Sequence, residues 1–117
     1  MGGRASGGVE VAGRPPTPNH LHMAKIGVLT MELRLEHAHS LKEKRHLVQG
    51  LKDRLRHKFN VAVAEIDHQD VWQRATVAAV TVSADHTRAE QVLQSVEKEA
   101  ASCLGASLAE TTVEWLE

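Results

Sequence analysis

The chain has 117 residues, of which 42% are apolar and 25% are charged, and its net charge is −1. This length and balance predict one domain with a hydrophobic core, and they exclude binding to nucleic acid or membrane through overall charge alone. No run of about 18 apolar residues indicates a membrane-spanning helix, and the single cysteine, Cys103, is typical of a cytoplasmic protein.

The N-terminal segment differs from the rest of the chain. Residues 1–22 are rich in glycine and proline and have no hydrophobic periodicity, which predicts a disordered leader. Met23 then opens a segment that resembles a natural protein start. Residues 1–22 are therefore interpreted as a leader or upstream extension, and residues 23–117 as a single domain.

A strand and a helix are predicted first. Residues 25–36 alternate, with a fully apolar face that predicts a strand. Residues 41–58 repeat apolar side chains at helical spacing. Ser40 is the expected N-cap, Glu43 completes the capping box, and Asn60 is expected to end the helix in a left-handed turn.

The rest of the chain is predicted to contain two strands, a second helix and a last strand. Strands are predicted over 61–66 and 71–82, joined by a hairpin loop at 67–70. A second helix is expected to begin at Asp85 or Thr87 and to stop at Gly105, with Cys103 on its inward face. Residues 107–116 alternate as a last strand.

The predicted fold class is α+β, with the ferredoxin-like order β-α-β-β-α-β. Two helices cover one face of a four-stranded antiparallel sheet in this arrangement. The end of the first strand, the start of the first helix and the hairpin then lie at one end of the sheet. Residues 37–45 and 65–75 are therefore expected to meet in space.

The motifs "HSLKEKR" (39–45) and "FNVAVAEIDHQDVWQRA" (59–75) resemble the bacterial YlxP-like family. The resemblance covers roughly Lys25 to Glu117, and the 22-residue leader departs from it. It implies a small, cytosolic, ferredoxin-like protein. The genes of this family are often neighbours of translation-initiation and ribosome-maturation factors, so the resemblance implies a context in translation and no reaction.

Charge is segregated along the first predicted helix. Residues 40–58 contain seven lysines and arginines against two acids, a net of +5, which leaves −6 for the rest of the chain. At helical spacing Lys42, Arg45, Lys52 and Arg56 share one flank. A solvated helix face and an RNA- or phosphate-binding surface both fit this pattern, and the segregation favours the second.

Lys44 is unusual because it falls at the centre of the apolar arc. Its ammonium is expected to reach out past the end of the sheet toward the hairpin carboxylates of Asp67 and Asp70. A structural ion pair is favoured there over a contact with a ligand.

The histidines raise the question of a metal site. His37 and His39 are two residues apart, and His68 or Asp70 could supply a third ligand. The cations at Lys42, Lys44 and Arg45 would repel a metal, so neither a metal nor another cofactor is predicted. A His39 ring or an Asp67 carboxylate that is hydrogen-bonded to backbone, or paired with Arg74, is the expected alternative.

Signatures of catalysis are absent from the sequence, and we expect no enzyme activity. Ser40 is occupied as a cap, Cys103 is expected to be buried and inert, and no phosphate-binding glycine loop is present. Trp72 either stacks on a base or packs against the end of the sheet. Gly50 lies mid-helix on a polar side, where it is expected to be idle.

These observations predict a non-enzymatic RNA- or ribosome-associated factor in translation or ribosome maturation. The alternative is a homodimeric scaffold whose corner binds a small anion or an acidic protein segment. The uncovered sheet face, with Ile26, Val28 and Val80, would form the dimer unless the leader covers it. The predicted anion contacts are His39, Lys42, Lys44, Arg45, Lys52, Arg56, His68, Gln69 and Arg74. Residues with structural roles at the same corner are Ser40, Glu43, Asp67, Asp70 and Trp72.

Overall fold

The computed structural model describes residues 20–116. Most of the predicted leader, residues 1–19, lies outside the described residues, and His20–Met23 form one 3-10 turn. The elements that follow are β1 (Lys25–Arg34), α1 (Leu41–Lys58), β2 (Ala62–Asp67), β3 (Arg74–Ser83), α2 (His86–Leu104) and β4 (Leu108–Leu116). The sheet is antiparallel with strand order β2-β3-β1-β4, which confirms the predicted ferredoxin-like fold.

Strand β1 lies at the centre of the sheet, and its alternation decides which face is covered. Leu29, Met31 and Leu33 are buried and pack in one core with residues of both helices. The side chains between them lie on the opposite face, which neither helix covers. The strand therefore places one apolar face under α1 and α2, as its period of two predicts.

Helix α1 has the predicted bounds and the predicted N-cap. The Ser40 hydroxyl accepts a hydrogen bond from the Glu43 amide, and the Glu43 carboxylate accepts one from the amide of His39. Together these bonds satisfy two amides at the start of the helix. The predicted left-handed turn at Asn60 is wrong, because His68 and Gly105 are the residues with positive φ between residues 20 and 116. The helix ends in extended backbone at Phe59.

Helix α2 begins at the Asp85 cap, whose carboxylate accepts a hydrogen bond from the amide of Thr87. Ala89, Leu93 and Val96 face the core. Cys103, predicted to face inward, is exposed. The reason is that the last turn of α2 passes a cleft beside α1 and does not press against it.

The second face of the sheet carries small and branched apolar side chains. Val28 lies opposite Val80, and Ile26 lies between Val82 and Leu116. At the edges of this face Val82 is 56% exposed and Leu116 is 59% exposed. Neither helix within residues 20–116 is long and apolar enough to cross a membrane.

Candidate anion-binding site at the end of the sheet

A buried lysine joins α1 to the β2–β3 hairpin. The Nζ atom of Lys44 lies 2.6 Å from the carbonyl oxygen of His68 and 2.8 Å from that of Val71. It also lies 2.6 Å from Oε2 of Glu65, and its side chain is 0% exposed. The ammonium donates hydrogen bonds to the two carbonyls, and the Glu65 carboxylate supplies its counter-charge as an ion pair. The two motifs therefore meet at one corner, as the topology predicts.

The predicted partners of Lys44 were wrong, and a β-bulge explains why. The pairing of β2 with β3 shifts between Glu65, which lies opposite Val77, and Asp67, which lies opposite Thr76. The extra residue, Ile66, keeps Glu65 on the helix-covered face and turns Asp67 to the open face. Lys44 thus pairs with Glu65 under the helix and bonds to hairpin carbonyls, and it makes no ion pair with Asp67 or Asp70.

This burial also corrects the inclusion of Lys44 among the anion contacts. With no exposed surface and three acceptors around it, its ammonium offers nothing to a ligand. Oε2 of Glu65 is buried and accepts no hydrogen bond from the described residues, and the ion pair with Lys44 balances its charge. Lys44 fixes the hairpin in place, so an anion could be bound only by the exposed residues around it.

His68 is held in a conformation that side chains rarely adopt. Its φ is 64°, the single positive value at a non-glycine residue between positions 20 and 116. Its carbonyl accepts from Val71 N at 3.0 Å as well as from Lys44, and its amide donates to Oδ1 of Asp67 at 2.7 Å. Contacts on both sides of the peptide thus hold the strained turn, a feature that often accompanies functional sites.

The basic flank of α1, which consists of Lys42, Arg45, Lys52 and Arg56, faces away from α2. Within residues 20–116, Lys42, Arg45 and Lys52 have no ion-pair partner. Arg56 differs, because its Nη2 lies 2.8 Å from Oδ1 of Asp53. This hydrogen bond, followed by one from Gln49, lowers the pKa of the Asp53 carboxyl. Three cations of the flank are therefore free to bind an anion.

The opposite flank of α1 is occupied by contacts with α2. Arg54 Nε donates to Oε2 of Glu99, and Lys58 Nζ lies 3.0 Å from Oε1 of the same carboxylate. These hydrogen bonds, first from Lys58 and then from Arg54, lower the pKa of the Glu99 carboxyl. The hydrogen bond to Glu99 raises the pKa of Arg54. Two of the seven basic residues of the helix therefore join the helices together.

Arg34 and Arg74 form a pair of arginines on the open sheet face, of which sequence reasoning found only Arg74. They lie directly opposite each other on β1 and β3. The next pair along is joined by a hydrogen bond from Leu35 N to Gln73 O at 2.9 Å. The arginines therefore occupy a non-hydrogen-bonded position, where cross-strand side chains start closest together.

Neither arginine has an ion-pair partner among residues 20–116. Like charges placed directly opposite on a sheet are destabilising. A ligand carrying negative charge would relieve this repulsion. The signal in the sequence is only an arginine at the end of each strand, and the register of β1 with β3 is needed to place them together.

A polar hollow of about 540 Å³ lies beside the arginine pair. Glu32 and Asp67 also line it, but their carboxylates already accept hydrogen bonds. Oε1 of Glu32 accepts from the Thr76 hydroxyl at 2.7 Å, and Oδ1 of Asp67 accepts from the amide of His68. Glu110, opposite Glu32 on β4, also lines the hollow. Because these acidic side chains repel an anion, an anion in the hollow would bind at the end that carries the arginines.

Trp72 lies on the surface of the hairpin, 44% exposed, with Val71 and Ile66 also exposed beside it. An exposed indole is suited to stacking on a base or on another flat group.

The side chains of the remaining candidate residues make few contacts. His39 and Asp70 are exposed, and the amide of Gln69 lies 3.5 Å from the carbonyl oxygen of Glu65. In the part of the chain that the structure describes, no three histidine, cysteine or acidic side chains are grouped to hold a metal ion. The chemistry that this corner supports is electrostatic binding of an anion, with an indole beside it.

Comparisons with known proteins place the chain among relatives. The family model described as "Protein of unknown function (DUF503)" matches residues 26–113. The chain is 39% identical over 71 residues to "Uncharacterized protein YlxP" of Bacillus subtilis (strain 168), over 61% of this chain and 77% of that one.

The chain also matches two solved structures to different extents. The de novo designed protein Foldit4 superposes with a TM-score of 0.51 at 13% identity, over 80% of this chain and 97% of that one. A C-terminal segment of the alpha subunit of aIF2 from Pyrococcus abyssi has a TM-score of 0.43 at 15% identity, over 80% and 49% of the two chains. At 13% identity the likeness to Foldit4 concerns the fold alone.

Proposed function

Because this chain belongs to the DUF503 family of proteins of unknown function, a membership that names no reaction, we propose from the site itself that it is a non-enzymatic RNA- or ribosome-associated accessory factor. Its process is translation or ribosome maturation, and it acts in the cytoplasm. The gene neighbourhood implied by the resemblance to YlxP-like proteins supports that process. The ligand is the phosphate backbone of RNA.

The observation that carries the proposal is the unpaired charge on one flank of α1. Lys42, Arg45 and Lys52 have no carboxylate partner within residues 20–116, whereas Arg54, Arg56 and Lys58 of the same helix do. From Lys42 to Lys52 the helix advances about 15 Å, a length along which several phosphates of a nucleic-acid strand can bind. Unpaired cations arranged in a row are typical of a surface that follows a phosphate backbone.

The hairpin corner adds a second cationic area, on the open face of the sheet. Lys44 holds the hairpin against the start of α1, so that Trp72 and the arginine pair stay in a fixed position relative to the basic flank. Arg74 and Arg34 supply further positive charge on the open face, and Trp72 supplies a stacking surface. A rigid arrangement of this kind loses little entropy when it binds.

The experiment is co-sedimentation of the full chain with purified ribosomal subunits at low salt. The test variant combines Lys42→Glu, Arg45→Glu and Lys52→Glu. The matched control combines Arg88→Glu and Lys98→Glu on α2, which are also exposed and also lack an ion-pair partner in residues 20–116. The proposal predicts that the test variant stays in the supernatant while the control pellets with the subunits. Equal pelleting of both would reject it.

A second candidate function is favoured by the open sheet face. A homodimeric scaffold would bury Ile26, Val28 and Val80 between two copies and bind a small anion or an acidic protein segment at the corner. The uncovered apolar side chains at Val82 and Leu116 support it, since such patches often mark interfaces. Sedimentation of the full chain and of a chain starting at Met23 tests it. A monomer in both at high micromolar concentration would rule out the dimer.

A further inference from the structure

A cleft of about 480 Å³ opens between α1 and the last turn of α2, on the opposite flank of α1 from the basic flank. Its walls are apolar and include Leu35, Leu47, Leu51 and Leu104, while Arg54 and Cys103 lie at its rim. The volume falls in the range of about 300–1,000 Å³ that is usual for pockets that hold small molecules.

Gly50 is the reason that the cleft is open. The residue lies in the middle of α1 and lines the cleft. A Cβ atom built there would have no neighbour within 4 Å, so the space next to the backbone is empty. Glycine at an interior helix position costs about 1 kcal/mol relative to alanine. Leu47, one turn earlier, remains 46% exposed at the same opening.

The rim of the cleft carries a partly free cation. The hydrogen bond from Arg54 to Glu99 uses Nε, and its two Nη groups have no hydrogen-bond partner among residues 20–116. The carboxylate of Glu99 is shared with Lys58, so these three side chains together carry a net charge of +1. A guanidinium with free Nη groups at the edge of an apolar space is suited to a carboxylate, sulfonate or phosphate group.

We propose that this cleft is a binding site for a small amphiphilic anion. Its apolar body packs on the backbone of Gly50 and on the surrounding leucines, and its anionic group accepts hydrogen bonds from the Nη groups of Arg54. The site is separate from the basic flank of α1, because Leu47, Gly50 and Arg54 face α2 whereas Lys42, Arg45 and Lys52 face away from it. The proposal therefore does not depend on RNA binding.

The test uses the full chain and the fluorescent anion 1-anilinonaphthalene-8-sulfonate as the probe. Gly50→Leu fills the cleft from α1, and Cys103→Trp fills it from α2, so that one variant remains if the other does not fold. Arg54→Met removes the charge and keeps an apolar stem. The controls are Gln49→Leu, on the outer flank of α1, and Arg88→Met, at an exposed position of α2 away from the cleft. Melting temperatures identify the variants that are folded.

The expected result is saturable binding in the wild type and in both controls. Gly50→Leu, Cys103→Trp and Arg54→Met should each weaken the affinity for the probe by at least about tenfold. The first two occupy the space of the ligand, and the third removes a charge-assisted hydrogen bond. Decanoate should displace the probe at concentrations where decanol does not. Affinities equal to the controls in the folded filled variants, or in Arg54→Met, would overturn the proposal, as would equal displacement by decanol.

Discussion

The Nζ atom of Lys44 lies 2.6 Å from Oε2 of Glu65, in a place where the lysine has no exposed surface. Two backbone carbonyls of the hairpin accept hydrogen bonds from it. A buried charge that is fully paired contributes less than its Coulomb energy, but removing one partner leaves the other charge buried without compensation. The main effect of the pair is therefore to fix the position of the hairpin against α1.

Replacing Lys44 by methionine is expected to lower the free energy of unfolding by about 3–5 kcal/mol, because Glu65 and the two carbonyls lose their donor. The double variant Lys44→Met with Glu65→Leu should regain part of that loss, since it removes the unpaired carboxylate. Urea unfolding measures both. Lys42→Met, at an exposed position two residues earlier, is the control and should change stability by less than about 0.5 kcal/mol. A loss from Lys44→Met as small as that of the control would contradict the structure of the corner.

The strained turn at His68 makes a second prediction. Valine at this position should destabilise the protein by about 1–3 kcal/mol, because a β-branched residue is disfavoured at a φ of 64°. Asparagine tolerates the left-handed region and should have little effect. The comparison of the two variants in urea removes effects that come from losing the imidazole. Equal stability of His68→Val and His68→Asn would show that the turn is not strained.

The carboxylate that joins the helices makes stability depend on pH. Because Lys58 and Arg54 lower the pKa of Glu99 below its unfolded value, its contribution is fully present above that unfolded value of about 4.3. The contribution is lost as the pH falls through the folded pKa. The difference in melting temperature between the wild type and Glu99→Gln should therefore be constant from about pH 5 to 8 and shrink below about pH 4. Glu90→Gln, an exposed change on the same helix, should show no such trend; a difference for Glu99→Gln that persists undiminished in acid would refute the assignment.

Two glycines should respond in opposite ways to alanine. At Gly50 a methyl group meets empty space, so Gly50→Ala should raise the free energy of unfolding by about 1 kcal/mol. At Gly27 a Cβ would lie 2.7 Å from side-chain atoms of Leu93 and of Trp115, so Gly27→Ala should lower it by about 1–3 kcal/mol. Thermal unfolding of both variants decides. A lower melting temperature for Gly50→Ala would mean that α1 does not run straight through residue 50.

Local patterns in the sequence were sufficient to predict the helices and strands, and the corner where residues 37–45 and 65–75 meet. Ser40 and Glu43 begin α1 where the capping box predicts, and the alternation in β1 identifies the covered face. The order of elements then brings the two motifs together. These features depend on neighbours in the chain or on topology, and both can be inferred from one sequence.

The features that failed depend on register and on packing between distant segments. The predicted partners of Lys44, Asp67 and Asp70, were wrong because the bulge at Ile66 turns Asp67 to the open face. The actual partner, Glu65, shares the covered face with Val63 by simple alternation. The pairing of Arg34 with Arg74 requires the β1–β3 register, which no local signal sets. The exposure of Cys103 follows from the space beside Gly50, a property of two helices together.

The salt dependence of binding tests the proposed RNA-binding function most directly. The association constant of the full chain for ribosomal RNA is measured at several salt concentrations, for the wild type and for Lys42→Gln with Arg45→Gln and Lys52→Gln. Each phosphate contact contributes about 0.7–0.9 to the slope of log affinity against log salt, so the triple variant should reduce the magnitude of that slope by about 2–3. Arg88→Gln with Lys98→Gln on α2 should leave it unchanged. If the triple variant keeps the wild-type slope and affinity, the flank does not bind phosphate and the proposed function is wrong.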